Sequence, residues 1–362
     1  MENPEAETIE RLRRQLLEWY SLNRRDLPWR RTPDPYAIWV SEIMLQQTRV
    51  AVVVERYEVF LERFPTLLAL ALAPEQEVLA LWSGLGYYRR ARMLHKAAQF
   101  VADHFQGNLP ATSDALLLLP GIGAYTAAAI ASIAHGEPVA VVDGNVERVL
   151  CRLCGWEAGS RSGGGAAVRR KVEILATQLL DPDFPGDFNQ AMMELGATVC
   201  VPRGPLCQQC PISAECSTQG EHKTPPRPRM VSREVAFALS VRNARQSGSL
   251  VREVLLEQRP AHLTVMPSLW ELPALREAAV PPAELRMTVR HAIMQVNYYV
   301  RIRAVFADDV EALTVAGGER CWVPLAKAGS MALTGLARKV LSRAHLLPAP
   351  SQDSSALPVE TE

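Results

Sequence analysis

Apolar residues recur at i, i+3 and i+4 through the first 216 positions of the chain, the spacing of amphipathic helices packed on a core. Residues 36–64, 75–81 and 91–105 carry this period, and further helices are expected over 124–135 and 146–153. The texture then changes. Residues 217–232 are polar and include Lys223-Thr-Pro-Pro-Arg-Pro-Arg229, which cannot continue a helix. Beyond them, residues 234–241, 251–258, 287–293 and 296–306 are β-branched or alternating, as strands are, and residues 335–346 return to helical spacing. The last residues, 348–362, are rich in Pro, Ser, Ala and Glu and are expected to be disordered. The pattern therefore predicts a mainly α protein: a helical domain over 1–216, a linker over 217–232, a smaller α+β domain over 233–347 and a tail.

Length and composition agree with two domains. The 362 residues are 48% hydrophobic, enough for two sizeable cores. The 39 basic and 39 acidic residues cancel, so no global field advertises a nucleic-acid partner. Local basic runs do exist: Arg24, Arg25, Arg30 and Arg31; Arg89, Arg90, Arg92 and Lys96; Arg169, Arg170 and Lys171. Such runs are more often solvated faces than binding sites. No apolar run approaches membrane-spanning length, and the acidic, helical N-terminus lacks the apolar core of a secretory signal. The expectation is a soluble, monomeric intracellular protein of the cytoplasm or nucleoid, with reduced thiols.

Four of the seven cysteines change the picture. Cys200, Cys207, Cys210 and Cys216 read C-x6-C-x2-C-x5-C directly after a helical segment. Thiolates spaced so tightly converge on a soft metal centre, either tetrahedral zinc or a [4Fe–4S] cluster. Zinc ribbons use two C-x2-C knuckles separated by a longer loop, and only one knuckle is present, so the cluster is expected. Burial as small core hydrophobes is the alternative for any single cysteine. Cys151 and Cys154 have redox-motif spacing but apolar neighbours on a helix, and read as core packing.

Three further segments could carry chemistry. In Leu119-Pro-Gly-Ile-Gly123, Gly121 and Gly123 permit a tight turn before a helix whose first N–H groups can bind phosphate without cationic side chains. The same turn could merely join two helices. Asp143 stands just ahead of a helix, where a carboxylate is often only a cap. Glu42 lies among Ile38, Trp39, Val40, Ile43, Met44 and Leu45. A carboxyl facing apolar neighbours keeps its proton toward neutral pH, which prepares a general acid, unless Glu42 turns outward beside Ser41.

Taken together, these segments resemble the MutY family of adenine DNA glycosylases, within the helix-hairpin-helix superfamily that also includes endonuclease III. The resemblance covers residues 27–216. It rests on Leu27-Pro-Trp29, Trp39-Val-Ser-Glu-Ile-Met-Leu-Gln-Gln-Thr48, Trp82-Ser-Gly-Leu-Gly-Tyr-Tyr88, residues 119–123, Val142-Asp-Gly-Asn145, Phe188-Asn-Gln-Ala-Met-Met-Glu-Leu-Gly196 and the four cysteines. It implies a bilobal helical domain, with adenine opposite 8-oxoguanine or guanine flipped out of duplex DNA into a pocket. By resemblance, Glu42 protonates adenine N7, Asp143 stabilises the oxocarbenium-like sugar and Asn145 holds the site around Asp143. Gln47 and Tyr87 match residues that wedge into the base stack, and Arg30 is expected at the DNA. The cluster is expected to brace a DNA-binding loop containing Arg203.

Tyr125 stands where endonuclease III relatives carry the lysine that forms a Schiff base, so a monofunctional glycosylase is expected. Val254-Leu-Leu-Glu-Gln-Arg-Pro260 and Leu269-Trp-Glu-Leu-Pro273 are similar to the family's C-terminal domain, a Nudix-like reader of 8-oxoguanine. No Nudix catalytic helix follows Pro273. Where many members have a Phe-Ser-His loop, this chain has residues 291–295, of which Gln295 can hydrogen-bond a base edge. The rival readings are an endonuclease III-like glycosylase and lyase for oxidised pyrimidines, and a non-enzymatic iron–sulfur DNA-binding protein.

Overall fold

A computed structural model describes residues 5–157, 165–222, 229–246, 248–293, 295–315 and 317–347. The tail at 348–362, the middle of the 217–232 linker and Met294 lie outside the described residues. The described residues fall into two compact units, the first within residues 1–73 and 90–226 and the second within residues 74–89 and 227–362.

The first unit is helical. It contains α1 (Ala6–Asn23), α2 (Pro35–Leu45), α3 (Val50–Arg63) and α4 (Leu67–Leu72); the next helix, α5 (Glu75–Leu81), falls in the second unit. The first unit resumes through α6 (Arg89–Phe105), α7 (Ser113–Leu116), α8 (Ala124–His135), α9 (Gly144–Cys154), α10 (Gly165–Leu179) and α11 (Pro185–Thr198). Local chemistry fixes several of these ends. Asp34 caps α2 by accepting from the Tyr36 N–H, with Pro35 at the first helical position, where its missing donor costs nothing. Helices α8 and α9 each stop at a glycine in the left-handed region, Gly136 and Gly155. Leu12, Leu16 and Tyr20 of α1 meet Leu150 and Leu153 of α9, Val172 of α10 and Met192 of α11 in one core. Cys151 and Cys154 are buried in it, as their apolar setting predicts.

The helical spacing of residues 36–64 suggests one run, but the structure breaks it between Leu45 and Val50. The polar stretch from Gln46 to Arg49 offers nothing to bury, and Gln47 adopts φ 54°. The longer helix would bury no more apolar surface, so the turn wins.

The second unit carries two sheets. Strand β1 (Val231–Leu239) pairs in parallel with β6 (Val296–Ala304), which pairs antiparallel with β5 (Leu285–Ile293). In the other sheet, β3 (Ser249–Gln258) lies antiparallel to β2 (Val241–Gln246), β4 (Trp270–Glu271) and β7 (Arg320–Pro324). Strand structure thus begins at Val231, and the run expected over 234–241 divides at buried Ser240 into two strands of different sheets. Short helices α12 (Val310–Leu313) and α13 (Leu325–Ala328) precede α14 (Gly335–Arg343). Val254 and Leu256 of β3, Val300 and Ile302 of β6, and Leu336 and Val340 of α14 share the core of this unit. Among the described residues, no helix is long and apolar enough to cross a membrane.

Candidate active site

The turn between α7 and α8 sets the geometry of the site. Gly121 takes φ 77°, and a Cβ there would stand 2.6 Å from the Cβ of Met93, so both the angle and the space demand glycine. Gly123 is different: as the N-cap of α8 it has φ −98°, which any residue adopts, and a Cβ there would meet nothing. The turn therefore needs one left-handed glycine, and the second leaves open space over the first N–H groups of α8.

Two residues into α8, the Tyr125 hydroxyl donates to Glu42 Oε2 at 2.7 Å. Glu42 lies on α2 with only 5% of its surface exposed, among fully buried Trp39, Val40 and Met44. Its side chain faces inward, and the outward alternative beside Ser41 falls away. Burial pushes the Glu42 carboxyl from an ordinary 4.5 up to about 7; the Tyr125 hydrogen bond pulls it back, and the charge of Asp143 raises it again. Burial and then the charge of Glu42 hold the Tyr125 hydroxyl well above its ordinary 10.

Asp143 caps α9. Its Oδ1 accepts from the Asn145 and Val146 N–H groups at 2.8 and 2.7 Å, and Oδ2 accepts from Asn145 Nδ2 at 2.9 Å. The cap and the candidate charge are one and the same group: both oxygens are held by donors, and Asp143 stays partly exposed. The relay continues. Arg148 donates to Asn145 Oδ1 at 2.8 Å, to the Gly196 carbonyl at 2.6 Å and to the Cys200 carbonyl at 2.8 Å. One turn on, Arg152 donates to Cys200 Sγ at 3.3 Å and to the Val201 and Pro202 carbonyls. Nothing local in the sequence marks these two arginines, because most of their acceptors are backbone carbonyls some fifty positions away.

Arg30, expected at the DNA, is tied inward. Its side chain is 11% exposed and donates to Glu194 Oε2 at 2.9 Å, while Arg25 holds the same carboxylate at 2.7 and 2.8 Å. Burial alone would raise the Glu194 carboxyl, but the hydrogen bonds from Arg25 and Arg30 outweigh it and bring it to about 2. Arg30 also lowers the Glu42 carboxyl through its charge, so it belongs to the electrostatics of the acid.

Cys200, Cys207, Cys210 and Cys216 line a single cavity with Arg152, Val199 and Pro205; it encloses about 310 Å3, part of it open to solvent. Among the described residues, no three His, Cys, Asp or Glu side chains stand close enough to share one metal ion. Arg203 is exposed in the same loop.

The residues matched to DNA wedges have unusual backbones. Gln47 is exposed at φ 54°, and Tyr87, in the second unit, is 53% exposed at φ 45°. Neither is a glycine, and left-handed backbone at such residues is strain that concentrates at functional sites. Gln295 is exposed at the hairpin between β5 and β6, where its carbonyl accepts from the Val231 N–H at 2.9 Å.

Comparison with known proteins bears on this arrangement. Residues 40–169 match the HhH-GPD superfamily of base excision DNA repair proteins. The chain is 51% identical over 210 residues to an adenine DNA glycosylase of Homo sapiens, covering 56% of this chain and 38% of that protein. It is 46% identical over 201 residues to an adenine DNA glycosylase of Mycolicibacterium smegmatis, covering 55% and 67% respectively. The chain thus spans less than half the length of the human relative. Among solved structures, a thermostable thymine-DNA glycosylase matches with a TM-score of 0.53 at 30% identity, over 59% of this chain and 97% of that one. An endonuclease III trapped on DNA matches with a TM-score of 0.51 at 23% identity, over 60% and 98%, which shows a shared fold.

Proposed function

The chain belongs to the adenine DNA glycosylase family, and from that premise we propose that it hydrolyses the N-glycosidic bond of adenine mispaired with 8-oxoguanine or guanine in duplex DNA. The observation that carries this reading is the buried Glu42 carboxyl, held by Tyr125 at 2.7 Å and poised near pH 7. A neutral carboxylic acid can donate its proton to a flipped adenine at N7, and the base then leaves with the electrons of the C1′–N9 bond. The sugar is left oxocarbenium-like. Asp143, held in place by its cap donors, is the carboxylate that stabilises it before water adds at C1′, the two-carboxylate logic of glycoside hydrolysis. Asn145 keeps the aspartate oriented.

Tyr125 cannot form an imine, which favours a monofunctional enzyme over the glycosylase–lyase alternative. In this reading the open turn at Gly121 and Gly123 receives a phosphate on the amides of α8, and Gln47 and Tyr87 enter the base stack. Residues 1–216 act as the glycosylase domain and 233–347 as a Nudix-like reader of the opposite base, with Gln295 at its hairpin.

The four cysteines are proposed to hold a [4Fe–4S] cluster. The four thiols line one cavity with Arg152 and Val199, a set of four sulfur donors on one short loop that fits such a group. When bound, the cluster supplies a rigid cross-link for the loop of Arg203. Arg152 supplies the N–H···S contact and fixes the carbonyls at the loop's start.

The test is single-turnover base release from duplexes carrying adenine opposite 8-oxoguanine, guanine or cytosine, followed by alkali. We expect release from the first two, with strand breaks only after alkali. Breaks without alkali, or borohydride trapping in good yield, would instead support the lyase reading.

A further inference from the structure

The basic run at the start of α6 reads in sequence as a solvated face, yet Arg90 turns inward. Its Nη1 donates to the carbonyls of Ile43 at 2.7 Å and Met44 at 2.9 Å and also to that of Gln46; its Nη2 donates to Thr48 Oγ1 at 2.9 Å. These acceptors lie at the end of α2, immediately after Glu42, and in the turn that carries Gln47.

A helix end leaves its last carbonyls without partners, and many helices answer with a glycine just past the end. Helices α8 and α9 do so, each closing on a left-handed glycine whose N–H bonds back to the last turn. Helix α2 has no glycine there. Its C-cap residue, Gln46, is at φ −57° and ψ 112°, and the backbone closure across the turn is the Thr48 N–H to the Leu45 carbonyl at 3.2 Å. Ile43 and Met44 are served by a guanidinium from another helix. The same fork reaches Thr48, across the strained residue, and Gln46 is held from the far side by its own bond to Thr126 Oγ1 at 3.2 Å.

We propose that Arg90 is a positioning residue, a C-terminal cap supplied to α2 by a different helix, which fixes the seat of Glu42 and the left-handed turn at Gln47 together. The inference rests on the reading of Glu42 as the acid and Gln47 as a wedge. It works through geometry: one planar fork spans acceptors on both sides of Gln47, which a lysine ammonium, a single point of charge, cannot do. Coupling the two would link insertion of the wedge to presentation of the acid.

The experiment uses the full chain with Arg90→Met and Arg90→Lys, read by amide hydrogen exchange over residues 43–48, by single-turnover adenine release opposite 8-oxoguanine, and by the pH dependence of that rate. We expect Arg90→Met to speed exchange at Thr48 about tenfold or more while α8 stays protected. Base release should slow by about ten- to a hundredfold, the loss of one or two charge-assisted hydrogen bonds. Arg90→Lys should fall between, and the pH at which the rate declines should stay where it is in the wild type. Wild-type exchange in Arg90→Met overturns the clamp, as does full recovery by lysine. A shifted pH profile would mean that Arg90 acts on Glu42 by its charge, and would also overturn it. Should Arg90→Met fail to fold, Arg90→Lys decides by the same three readouts. Exchange needs no turnover, so it judges the clamp even if no duplex releases base and the glycosylase reading itself falls.

Discussion

At the scale of single residues, the Glu42 carboxyl is governed by opposing influences of known sign. Burial favours its neutral form, and the hydrogen bond from Tyr125 favours the anion. Glu42→Gln removes the proton donor; adenine release should drop at least about a hundredfold, the scale of general-acid catalysis, while mismatch binding in a gel-shift assay persists. Tyr125→Phe deletes a donor to the carboxylate, so the carboxyl rises further above about 7 and its acid form survives to higher pH. The alkaline fall of the rate should therefore move upward in pH in this variant; a downward move would refute the assignment. Glu42 was legible in the sequence because its apolar helical neighbours already announced burial. Glu194 was not. Its partners Arg25 and Arg30 lie 169 and 164 positions away, and nothing local to α11 says that a carboxylate there is clamped.

At the scale of elements, the periodic helices and alternating strands were readable: α5 and α8 fall where their spacing put them, and β5 and β6 within two residues. The turn from Gln46 to Arg49 was not, since it depends on a cap donated by α6, nor was β4, a two-residue strand with no pattern of its own. That short strand holds a second buried acid. Glu271 accepts from Thr334 Oγ1 at 2.6 Å, and Thr334 also caps α14, so one hydroxyl joins β4 to the start of a helix. Burial pushes the Glu271 carboxyl from 4.5 to about 7, against the pull of the Thr334 and Leu272 bonds. A carboxyl raised in the folded state binds more protons there than when unfolded, so its contribution to stability is complete below about 4.5 and declines as pH rises to about 7. Glu271→Gln should flatten that part of the stability curve, leaving the slope due to Glu42. Urea melts at pH 5 and pH 8 check it: an undiminished difference would show that Glu271 does not titrate in this window.

At the scale of the whole molecule, a net charge of zero looks at odds with a DNA partner. The structure sharpens the contrast, because it ties key arginines inward. Arg25 and Arg30 clamp Glu194, Arg90 caps α2, and Arg148 and Arg152 hold backbone carbonyls. With the hairpin's amides offered to phosphate, DNA affinity should depend on ionic strength less steeply than for a protein that makes six to ten cationic phosphate contacts, roughly the slope of −0.9 per contact. Binding measured from 50 to 200 mM salt tests this, and a loss of about a thousandfold or more would contradict it.

The grouping of residues 74–89 with the second half of the chain has a consequence in time. Tyr88 donates to the Leu333 carbonyl at 2.9 Å and Arg338 to Ser83 Oγ at 2.6 Å, contacts that close 245 and 255 positions of chain. Contacts of such separation form late, after the local pairs that build helices. A nascent chain that has emerged only to residue 226 already holds Glu42, Tyr125 and Asp143, but the turn bearing Tyr87 still lacks both anchors. Pulse-labelled exchange during refolding should find residues 83–88 protected after α8 and α9. Assembly would then run from the acid to the wedge, and the last segment to settle would be one synthesised among the first ninety residues.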